Sequence, residues 1–435
     1  MADQKKIEAK LLKGFRDYLP QEMVARQEML DTIRKTFELY GFLPLQTPAL
    51  EYADVLLGKY GEEGDKLLYR FNDQGKRDVA LRYDLTVPLA RVIAQYKQQF
   101  PLPFKRYQIA PVWRAEKPQK GRFREFVQCD VDIVGTKDIS SDIELVSLAV
   151  NVLENLGLKF QLRVSDRRIL TGVLTKAGVS EEKQTAAIQT IDKYEKIGES
   201  GVQAELEKKG FDKNQISELT NFLQISGSND AILKTLTKYV EDSDQALEAI
   251  NRFTEIFAEL KTAGVDTKQI KLDPTLARGM DYYTGIIFEA VLIKPTGYGS
   301  VLGGGRYDEL IGMFTGQDLP ASGFSIGIDR LFDAVNTDTA KSQNIQALVL
   351  FLDKDDRAHY SKLLNELRSA GVRTDFYLKD SDKIGKQLTY AEKIGAQYAI
   401  FLGEEEIKAK TINVRDMQTG KSKSLKVKEF IKKIK

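Results

Sequence analysis

Residues 104–126 read FKRYQIAPVWRAEKPQKGRFREF, and this stretch says more about the fold of the 435-residue chain than any other. Its two ends are typical of antiparallel strands, and the basic loop around Pro118–Gly121 would join them. Arg114 and Arg122 flank that loop, and Phe126 lies on the returning strand. Because a guanidinium grips phosphate with two parallel hydrogen bonds and also stacks on flat rings, this arrangement suits a nucleotide.

Three further charged segments accompany this hairpin. Leu276–Gly285 reads LARGMDYYTG and places an arginine, a carboxylate and two tyrosines just before a strand-like run, Ile286–Leu292. Gly323–Leu331 reads as a glycine-punctuated strand that enters a helix, with Arg330 in the first turn of that helix. An arginine in this position can turn back and lay its plane over a bound ring. The last segment, Arg82–Thr86, combines a cation, a phenol, a carboxylate and a hydroxyl.

Composition and length set the broad class of the protein. An apolar content of 42% with 29% charged residues is that of an ordinary globular protein, and the length suggests two or three domains. No apolar run is long enough to span a membrane, so we expect no membrane association. The N-terminus, MADQKK, lacks the apolar core of a signal peptide, so we expect a cytoplasmic protein.

The chain has one cysteine, Cys129, and one histidine, His359. These exclude an internal disulfide and leave no set of cysteine and histidine ligands for a zinc site. His359 lies at a polar helix start, where we expect a solvated side chain. Without an imidazole base, the chemistry should depend on positioning and electrostatics. That is typical of phosphoryl or nucleotidyl transfer, in which arginines and magnesium stabilise charge.

Hydrophobic periodicity gives a coarse order of elements. Residues 20–40 read as an amphipathic helix, and residues 42–48 as an extended edge strand interrupted twice by proline. Asn72–Gly75 reads as a hairpin turn. We predict further strands at residues 66–71, 78–82, 104–113 and 126–134.

The amino-acid composition changes after Asp166. Residues 167–265 are rich in Lys, Glu, Leu and Ile and contain no proline. We predict an all-helical insertion with helices at residues 169–177, 182–197, 202–209, 215–224 and 244–260. Strand-like sequence resumes at Ile270, so the first domain is discontinuous. After a polar linker, residues 347–402 alternate β-α-β-α-β, which predicts a small α/β domain.

In this order, the segments resemble class II aminoacyl-tRNA synthetases of the histidyl-tRNA synthetase family. The resemblance runs from about Lys13 to the C-terminus. The matching segments are residues 42–48 (motif 1), 104–126 (motif 2), 278–283 (the histidine signature), 323–331 (motif 3), 13–20 and 303–308.

The resemblance implies an α+β fold, in which an antiparallel six-stranded sheet flanked by helices is joined to a helical insertion and a C-terminal α/β anticodon-binding domain. The implied parts are residues 1–165 and 269–335 (catalytic domain), 166–268 (insertion), 336–345 (linker) and 346–435 (anticodon-binding domain).

The implied function is the ATP-dependent attachment of L-histidine to tRNA(His) through a histidyl-adenylate intermediate, with Mg²⁺ bound to ATP. The family also implies a homodimer whose seam includes the motif 1 region. If the chain forms this dimer, the apolar side chains of Met29, Ile33 and Phe37 need not all point into the core of their own subunit.

Site residues carry over at matching positions. Arg114 and Arg278 would be the catalytic arginines that grip the α-phosphate from opposite sides. The implied ATP-binding residues are Arg114, Glu116, Phe126 and Arg330, with Phe126 and Arg330 on either side of the adenine.

The remaining positions imply contacts with the amino acid and with tRNA. The implied histidine-binding residues are Asp84, Thr86, Arg122, Gln128, Asp132, Arg278, Tyr282, Tyr283 and Tyr307. Lys117, Gln119 and Lys120 in the motif 2 loop would contact the tRNA acceptor end. The ten Lys and Arg residues between Lys408 and Lys435, against two acids, would form an RNA-facing surface.

Three alternatives remain open on the sequence. A regulatory subunit of ATP phosphoribosyltransferase shares the fold, but such relatives lose catalytic arginines and the C-terminal domain. A class II enzyme for proline, threonine or glycine is disfavoured by the tyrosine-bearing signature at residues 278–283. A pure RNA-binding module would leave the charged segments unexplained.

Overall fold

The computed structural model describes residues 7–60, 64–118, 121–277, 282–335, 345–379 and 382–434. The chain divides into two compact units. The first unit comprises residues 1–17 and 28–337, and the second comprises residues 18–27 and 338–435. Within the described residues, no helix combines the length and apolar character that crossing a membrane requires.

Strands before residue 345 form two sheets. In chain order they are β1 (Leu43–Pro44), β2 (Leu50–Tyr52), β3 (Arg70–Asn72), β4 (Asp78–Leu81), β5 (Phe104–Trp113), β6 (Glu125–Val134), β7 (Lys159–Asp166), β8 (Ile270–Leu272), β9 (Ile286–Lys294), β10 (Ser300–Arg306) and β11 (Ala321–Gly327).

The helices of the same part of the chain are, in order, α1 (Pro20–Leu39), α2 (Ala53–Leu56), α3 (Thr86–Tyr96), α4 (Ile139–Asn155), α5 (Arg167–Lys176), α6 (Glu181–Ile191), α7 (Tyr194–Lys208), α8 (Lys213–Leu223), α9 (Asn229–Tyr239), α10 (Asp244–Thr262), α11 (Gly312–Thr315) and α12 (Ile328–Val335).

The large sheet has the strand order β1-β5-β6-β11-β10-β9-β7-β8. Its six central strands pair antiparallel throughout, which confirms the predicted six-stranded antiparallel sheet. Two short parallel strands, β1 beside β5 and β8 beside β7, extend the sheet at its edges. The proline-interrupted strand β1 lies at one edge, where a residue without an N–H costs no ladder hydrogen bond.

One face of this sheet is packed and the other is polar. Cys129, Val131 and Ile133 of β6 belong to a large apolar core that also contains buried side chains of α4, such as Leu145 and Leu148. Because side chains alternate along a strand, the residues between them point to the opposite face, which therefore carries the chemistry.

Two predictions about local structure were wrong. The strand predicted at residues 66–71 is confined to β3, because Leu67 and Leu68 donate backbone hydrogen bonds back to Gly64 and Asp65 in a turn. The helix α9 was missed in the segment between residues 224 and 244. The helix predicted at residues 182–197 is divided between α6 and the start of α7, whereas Gly198 interrupts α7 with φ of 68°, close to the break predicted after residue 197.

The hairpin predicted at Asn72–Gly75 is confirmed, because Asn72 pairs with Asp78 across β3 and β4. The series of helices α5–α10 occupies the predicted helical region, although its status as a separate insertion domain stays a prediction. The predicted linker at residues 336–344 lies outside the described residues.

The second unit contains a five-stranded mixed sheet of order β13-β12-β14-β15-β16. Its strands are β12 (Ala347–Val349), β13 (Thr374–Phe376), β14 (Tyr398–Phe401), β15 (Ile412–Asp416) and β16 (Ser422–Leu425), and its helices are α13 (Arg357–Ser369), α14 (Ile384–Lys393), α15 (Glu404–Ala409) and α16 (Val427–Ile434). The three parallel strands confirm the predicted alternation, and this unit has its own apolar core.

Candidate active site

A buried ion pair lies at the centre of the polar face of the large sheet. Arg106 of β5 and Asp132 of β6 are opposite each other in the strand register, and their side chains meet at 2.7 Å with the Arg106 side chain 0% exposed. The hydroxyl of Tyr307 donates a hydrogen bond to the other oxygen of Asp132. Burial raises the pKa of Asp132, whereas the Arg106 charge lowers it.

A second buried carboxylate, Asp84, approaches from the turn before α3. Its Oδ1 accepts hydrogen bonds from the Tyr60 hydroxyl at 3.0 Å and from the Val87 backbone N–H at 3.1 Å. The second bond satisfies one of the donors that a helix N-terminus leaves free, which explains an aspartate just before the helix. Thr86 then begins α3. Burial raises the pKa of Asp84.

Asp130 lies between Gln128 and Asp132 on the same face of β6. Burial is the main cause that raises the pKa of Asp130 to about 7, and the nearby charge of Asp132 raises it further, while Arg106 lowers it. Asp130 does not line the pocket described below. It lies beneath the lining as a carboxyl group poised to change protonation near neutral pH.

Four tyrosines enclose the buried carboxylates: Tyr60, Tyr282, Tyr283 and Tyr307. The ring of Tyr282 lies 5.0 Å from that of Tyr283 and 5.9 Å from that of Tyr307. Burial raises the pKa of all four phenols. They therefore stay protonated at neutral pH and can donate hydrogen bonds.

Glycines on the polar face make room for these side chains. A Cβ added at Gly323 of β11 would lie 2.2 Å from Oδ1 of Asp132. A Cβ added at Gly305 of β10 would lie 2.9 Å from the ring of Tyr283. A side chain at either position would displace the groups that line the pocket, so this arrangement requires glycine.

Arginine side chains also line the site. Arg114 donates from Nε to the carbonyl of Tyr83 at 3.1 Å, and its guanidinium carbon lies 4.2 Å from the Tyr83 ring and 5.2 Å from the Phe126 ring. Arg122 lies 3.6 Å from the carboxylate of Glu116.

Arg330, in the first turn of α12, donates to the carbonyl of Ser300. Burial lowers the pKa of Arg330 to about 10, and the positive charges of Arg122 and Arg114 lower it further. The negative charges of Glu116 and Glu289 raise the pKa of Arg330, but they do not offset the lowering, so an anionic group such as phosphate would stabilise the charge of this arginine.

These groups converge on one pocket of about 360 Å³. Every predicted ATP- or histidine-binding residue that the structure describes lines it, namely Asp84, Thr86, Arg114, Glu116, Arg122, Phe126, Gln128, Asp132, Tyr282, Tyr283, Tyr307 and Arg330. The individual contacts predicted for these residues stay predictions.

Three predicted residues, Arg278, Gln119 and Lys120, fall outside the described residues. Lys117 is exposed and does not line the pocket. Arg122 is predicted to contact histidine. It lies 3.6 Å from the Glu116 carboxylate, and its charge lowers the pKa of Arg330. Glu116 and Arg330 are both predicted to contact ATP.

The sequence reasoning missed several residues of this site. Arg106, Asp130 and Ser325 share the polar face with residues that were identified, and the alternation of side chains along β5, β6 and β11 is a signal that could have found them. Glu289 of β9 also lines the pocket. Tyr60 lies in a loop after α2, and no sequence pattern indicated its contact with Asp84.

Comparisons with known proteins agree with this geometry. The family model described as Histidyl-tRNA synthetase matches residues 14–331, and the one described as Anticodon binding domain matches residues 346–435. The histidine–tRNA ligase of Clostridium tetani is 40% identical over 438 residues, which cover 99% of this chain and 98% of the relative. That of Rhodopirellula baltica is 41% identical and covers 96% of each chain.

Solved structures show the same fold. The crystal structure of histidyl-tRNA synthetase from Nostoc sp. PCC 7120 has a TM-score of 0.89 and 32% identity, with 99% of each chain covered. A structure from Bacillus halodurans C, described as an ATP phosphoribosyltransferase regulatory subunit/histidyl-tRNA synthetase, has a TM-score of 0.78 at 24% identity, over 91% of this chain and 99% of that one.

The six-stranded antiparallel sheet, with an arginine-edged pocket on its polar face, is the catalytic fold of a class II aminoacyl-tRNA synthetase. Within that class, the chain belongs to the histidyl-tRNA synthetase family, whose relatives match it over nearly its whole length.

The raised pKa of Asp130 predicts a pH-dependent cost to stability. Below about pH 4 the carboxyl is protonated in both folded and unfolded chains. As pH rises towards 7, the unfolded chain loses this proton while the folded chain keeps it, so the free energy of unfolding falls. We expect Asp130→Asn to remove this loss, which can reach a few kcal/mol because one pKa unit corresponds to about 1.4 kcal/mol.

The measurement is urea unfolding followed by the fluorescence of Trp113, the only tryptophan in the chain. The stability of Asp130→Asn relative to wild type should grow between pH 4 and 7 and level off above, whereas Asp242→Asn at an exposed position should track wild type. A difference for Asp130→Asn that does not change with pH would contradict the assignment.

Proposed function

We propose that this pocket condenses L-histidine with ATP to form histidyl-adenylate and pyrophosphate, and that histidine then passes to the 3′-terminal adenosine of tRNA(His). The chain is an aminoacyl-tRNA ligase that attaches histidine to tRNA in protein synthesis.

The presence of both kinds of charge in one pocket carries the proposal. Asp84, Asp132 and the amide of Gln128 line the pocket and suit the ammonium group of an amino acid. Arg114 and Arg330 line the same pocket and suit phosphates. Burial raises the pKa of Asp84, whereas the positive charge of Arg114 lowers it, so a phosphate on this arginine would lie close to an amino acid held by the aspartate.

Arg114 is proposed to hold the α-phosphate, together with Arg278. Negative charge accumulates on the phosphate oxygens as the carboxylate attacks in line. A guanidinium already fixed by the carbonyl of Tyr83 and by the Tyr83 and Phe126 rings stabilises that charge without reorganising. Arg278 lies outside the described residues, and its role rests on the family resemblance alone.

The nucleotide base is proposed to lie between Phe126 and Arg330, with Glu116 near its amino group. Flat partners on both faces of a ring favour stacking, and the Arg330 guanidinium can also act as a cation over the base.

The imidazole of histidine is proposed to contact Tyr283 and Tyr307. A neutral imidazole has one donor and one acceptor nitrogen, so recognition requires one group of each kind. Tyr283 supplies a donor because burial raises its pKa, and the oxygen of Tyr307, whose proton goes to Asp132, supplies an acceptor.

Mg²⁺ is proposed to enter with ATP, held mainly by the phosphates. The described residues contain no group of three or more acidic, histidine or cysteine side chains suited to a metal ion. Magnesium bound through a substrate needs only one or two carboxylates, and Glu289 in the pocket lining fits that requirement. Bound there, the ion would neutralise phosphate charge.

We propose that residues 346–435 read the tRNA and that Lys117, Gln119 and Lys120 meet its acceptor end. The match of residues 346–435 to an anticodon-binding family supports the first assignment.

Residues 166–268 are proposed to form an insertion domain, and the protein is proposed to be cytoplasmic. The regulatory-subunit alternative is disfavoured, because Arg114 and Arg330 line the pocket and the C-terminal domain is present.

Exchange of radioactive pyrophosphate into ATP tests the proposal. Among the twenty amino acids, only L-histidine should stimulate exchange without tRNA, because analogues that lack the ring nitrogens would leave buried polar groups unpaired at a cost of about 10⁴-fold or more. Arg114→Ala should lower the rate by about 10²–10³-fold, whereas the exposed control Arg77→Ala should not. Equal stimulation by proline or threonine would overturn the assignment.

A homodimer is also proposed, although the apolar face of α1 is not its seam. Ile33 and Phe37 of α1 are fully buried within their own unit, so the apolar face of this helix is not an exposed seam. Exposed apolar side chains lie at its last residue and in the strands that follow: Leu39, Leu43 and Tyr52 are 82%, 60% and 55% exposed. Leu43 belongs to the edge strand β1, and exposed apolar side chains on an edge strand favour self-association.

Sedimentation velocity at micromolar concentration tests the dimer. We expect a species of about 98 kDa, twice the chain mass of 49.1 kDa. Leu43→Glu should shift the protein towards monomer, whereas Ile293→Glu, at another exposed apolar position, should leave the mass unchanged. A wild-type sample that sediments only as monomer would contradict the proposal.

A further inference from the structure

Ser325 is the only polar side chain that β11 presents to the pocket face. Side chains alternate along the strand, so Ala321, Gly323, Ser325 and Gly327 share this face. Ser325 lies directly opposite Asp130 in the pairing of β11 with β6, and Gln128 is the diagonal neighbour. This register brings a hydroxyl within reach of both a carboxylate and an amide.

The hydrogen bonds among these three residues have a defined direction. Nε2 of Gln128 donates to Oγ of Ser325 at 2.8 Å, and the Ser325 hydroxyl bonds to Asp130. At pH 8, above its pKa of about 7, Asp130 is ionised and only accepts hydrogen bonds, so the hydroxyl proton of Ser325 points to Asp130. Its lone pairs then face Gln128, and only the NH₂ end of that amide can occupy this position.

The orientation of Gln128 leaves its oxygen available. Oε1 of Gln128 is buried and has no hydrogen-bond partner within the part of the chain that the structure describes. A buried acceptor without a donor is costly, and a bound cationic group would relieve that cost. In the opposite orientation the NH₂ group would face the same space and would repel an ammonium ion.

We infer that Ser325 and Asp130 are positioning residues that act through Gln128, holding its amide oxygen towards the substrate's ammonium group. The inference deepens the proposed function and rests on it, because the ammonium belongs to the amino acid to be activated. Neither Ser325 nor Asp130 is proposed to contact histidine's ring or ATP. They determine that the oxygen of the Gln128 amide, and not its NH₂ group, faces the substrate.

The test is a double-mutant cycle measured by pyrophosphate exchange with the full chain at pH 8, where Asp130 is ionised. Ser325→Ala should raise the KM for histidine about 10-fold, roughly the effect of one hydrogen bond to a charged group, and leave the KM for ATP unchanged. In a Gln128→Met background, Ser325→Ala should have no further effect, because the amide that it orients is gone. Ser322→Ala, a buried serine on the opposite face of the same strand, should behave as wild type.

Two competitive inhibitors separate the ammonium contact from the rest of the pocket. Ser325→Ala should weaken inhibition by histidinol, which keeps the ammonium, and leave inhibition by imidazolepropionate, which lacks it, unchanged. Additive effects of Ser325→Ala and Gln128→Met, a rise in the KM for both substrates, or equal weakening of both inhibitors would overturn the inference. Wild-type protein that shows no histidine-dependent exchange would instead overturn the proposed function.

Discussion

The buried ion pair between Arg106 and Asp132 is the constraint on which the rest of the site depends. Both side chains lie on the polar face of an otherwise well-packed sheet, where an isolated charge would be strongly unfavourable. The pair, completed by the hydroxyl of Tyr307, fixes one carboxylate at the base of the pocket. Buried ion pairs contribute little net stability, so we attribute this one to the binding of a cationic substrate.

The surrounding residues follow from that constraint. Gly323 is needed because any side chain there would meet the Asp132 carboxylate, and Ser325 is the next residue on that face. Asp84 and Asp130 are buried carboxyl groups close by. Because burial disfavours their charged forms, the pKa of each is raised. Groups that are unfavourable in the empty protein are typical of active sites, because the substrate completes their interactions.

The pairing of strands, the edge position of a strand and the position of a helix could be predicted where the periodicity of a segment coincided with a distinctive motif. The hairpin of β5 and β6, the edge position of β1 and the helix that carries Arg330 all followed from side-chain patterns or turn residues. The helix α9 and the turn at Leu67 did not, because short segments balance several weak preferences that tertiary contacts decide. In the site, Asp130 was detectable by alternation along β6, whereas the contact of Tyr60 with Asp84 depends on tertiary packing alone.

The most direct test of the central claim compares histidine binding with stability in Asp132→Asn. We predict that the KM for histidine rises about 10²-fold, because a hydrogen-bonded charge at the ammonium is lost, while the KM for ATP is unchanged. Unfolding at pH 8, monitored by Trp113, should change by much less than the about 3–5 kcal/mol typical of a broken buried pair, because Asp130 is ionised above its pKa of about 7 and lies close enough to neutralise Arg106. An unchanged KM for histidine together with a loss of stability of that size would show that the pair serves the fold and would contradict the account.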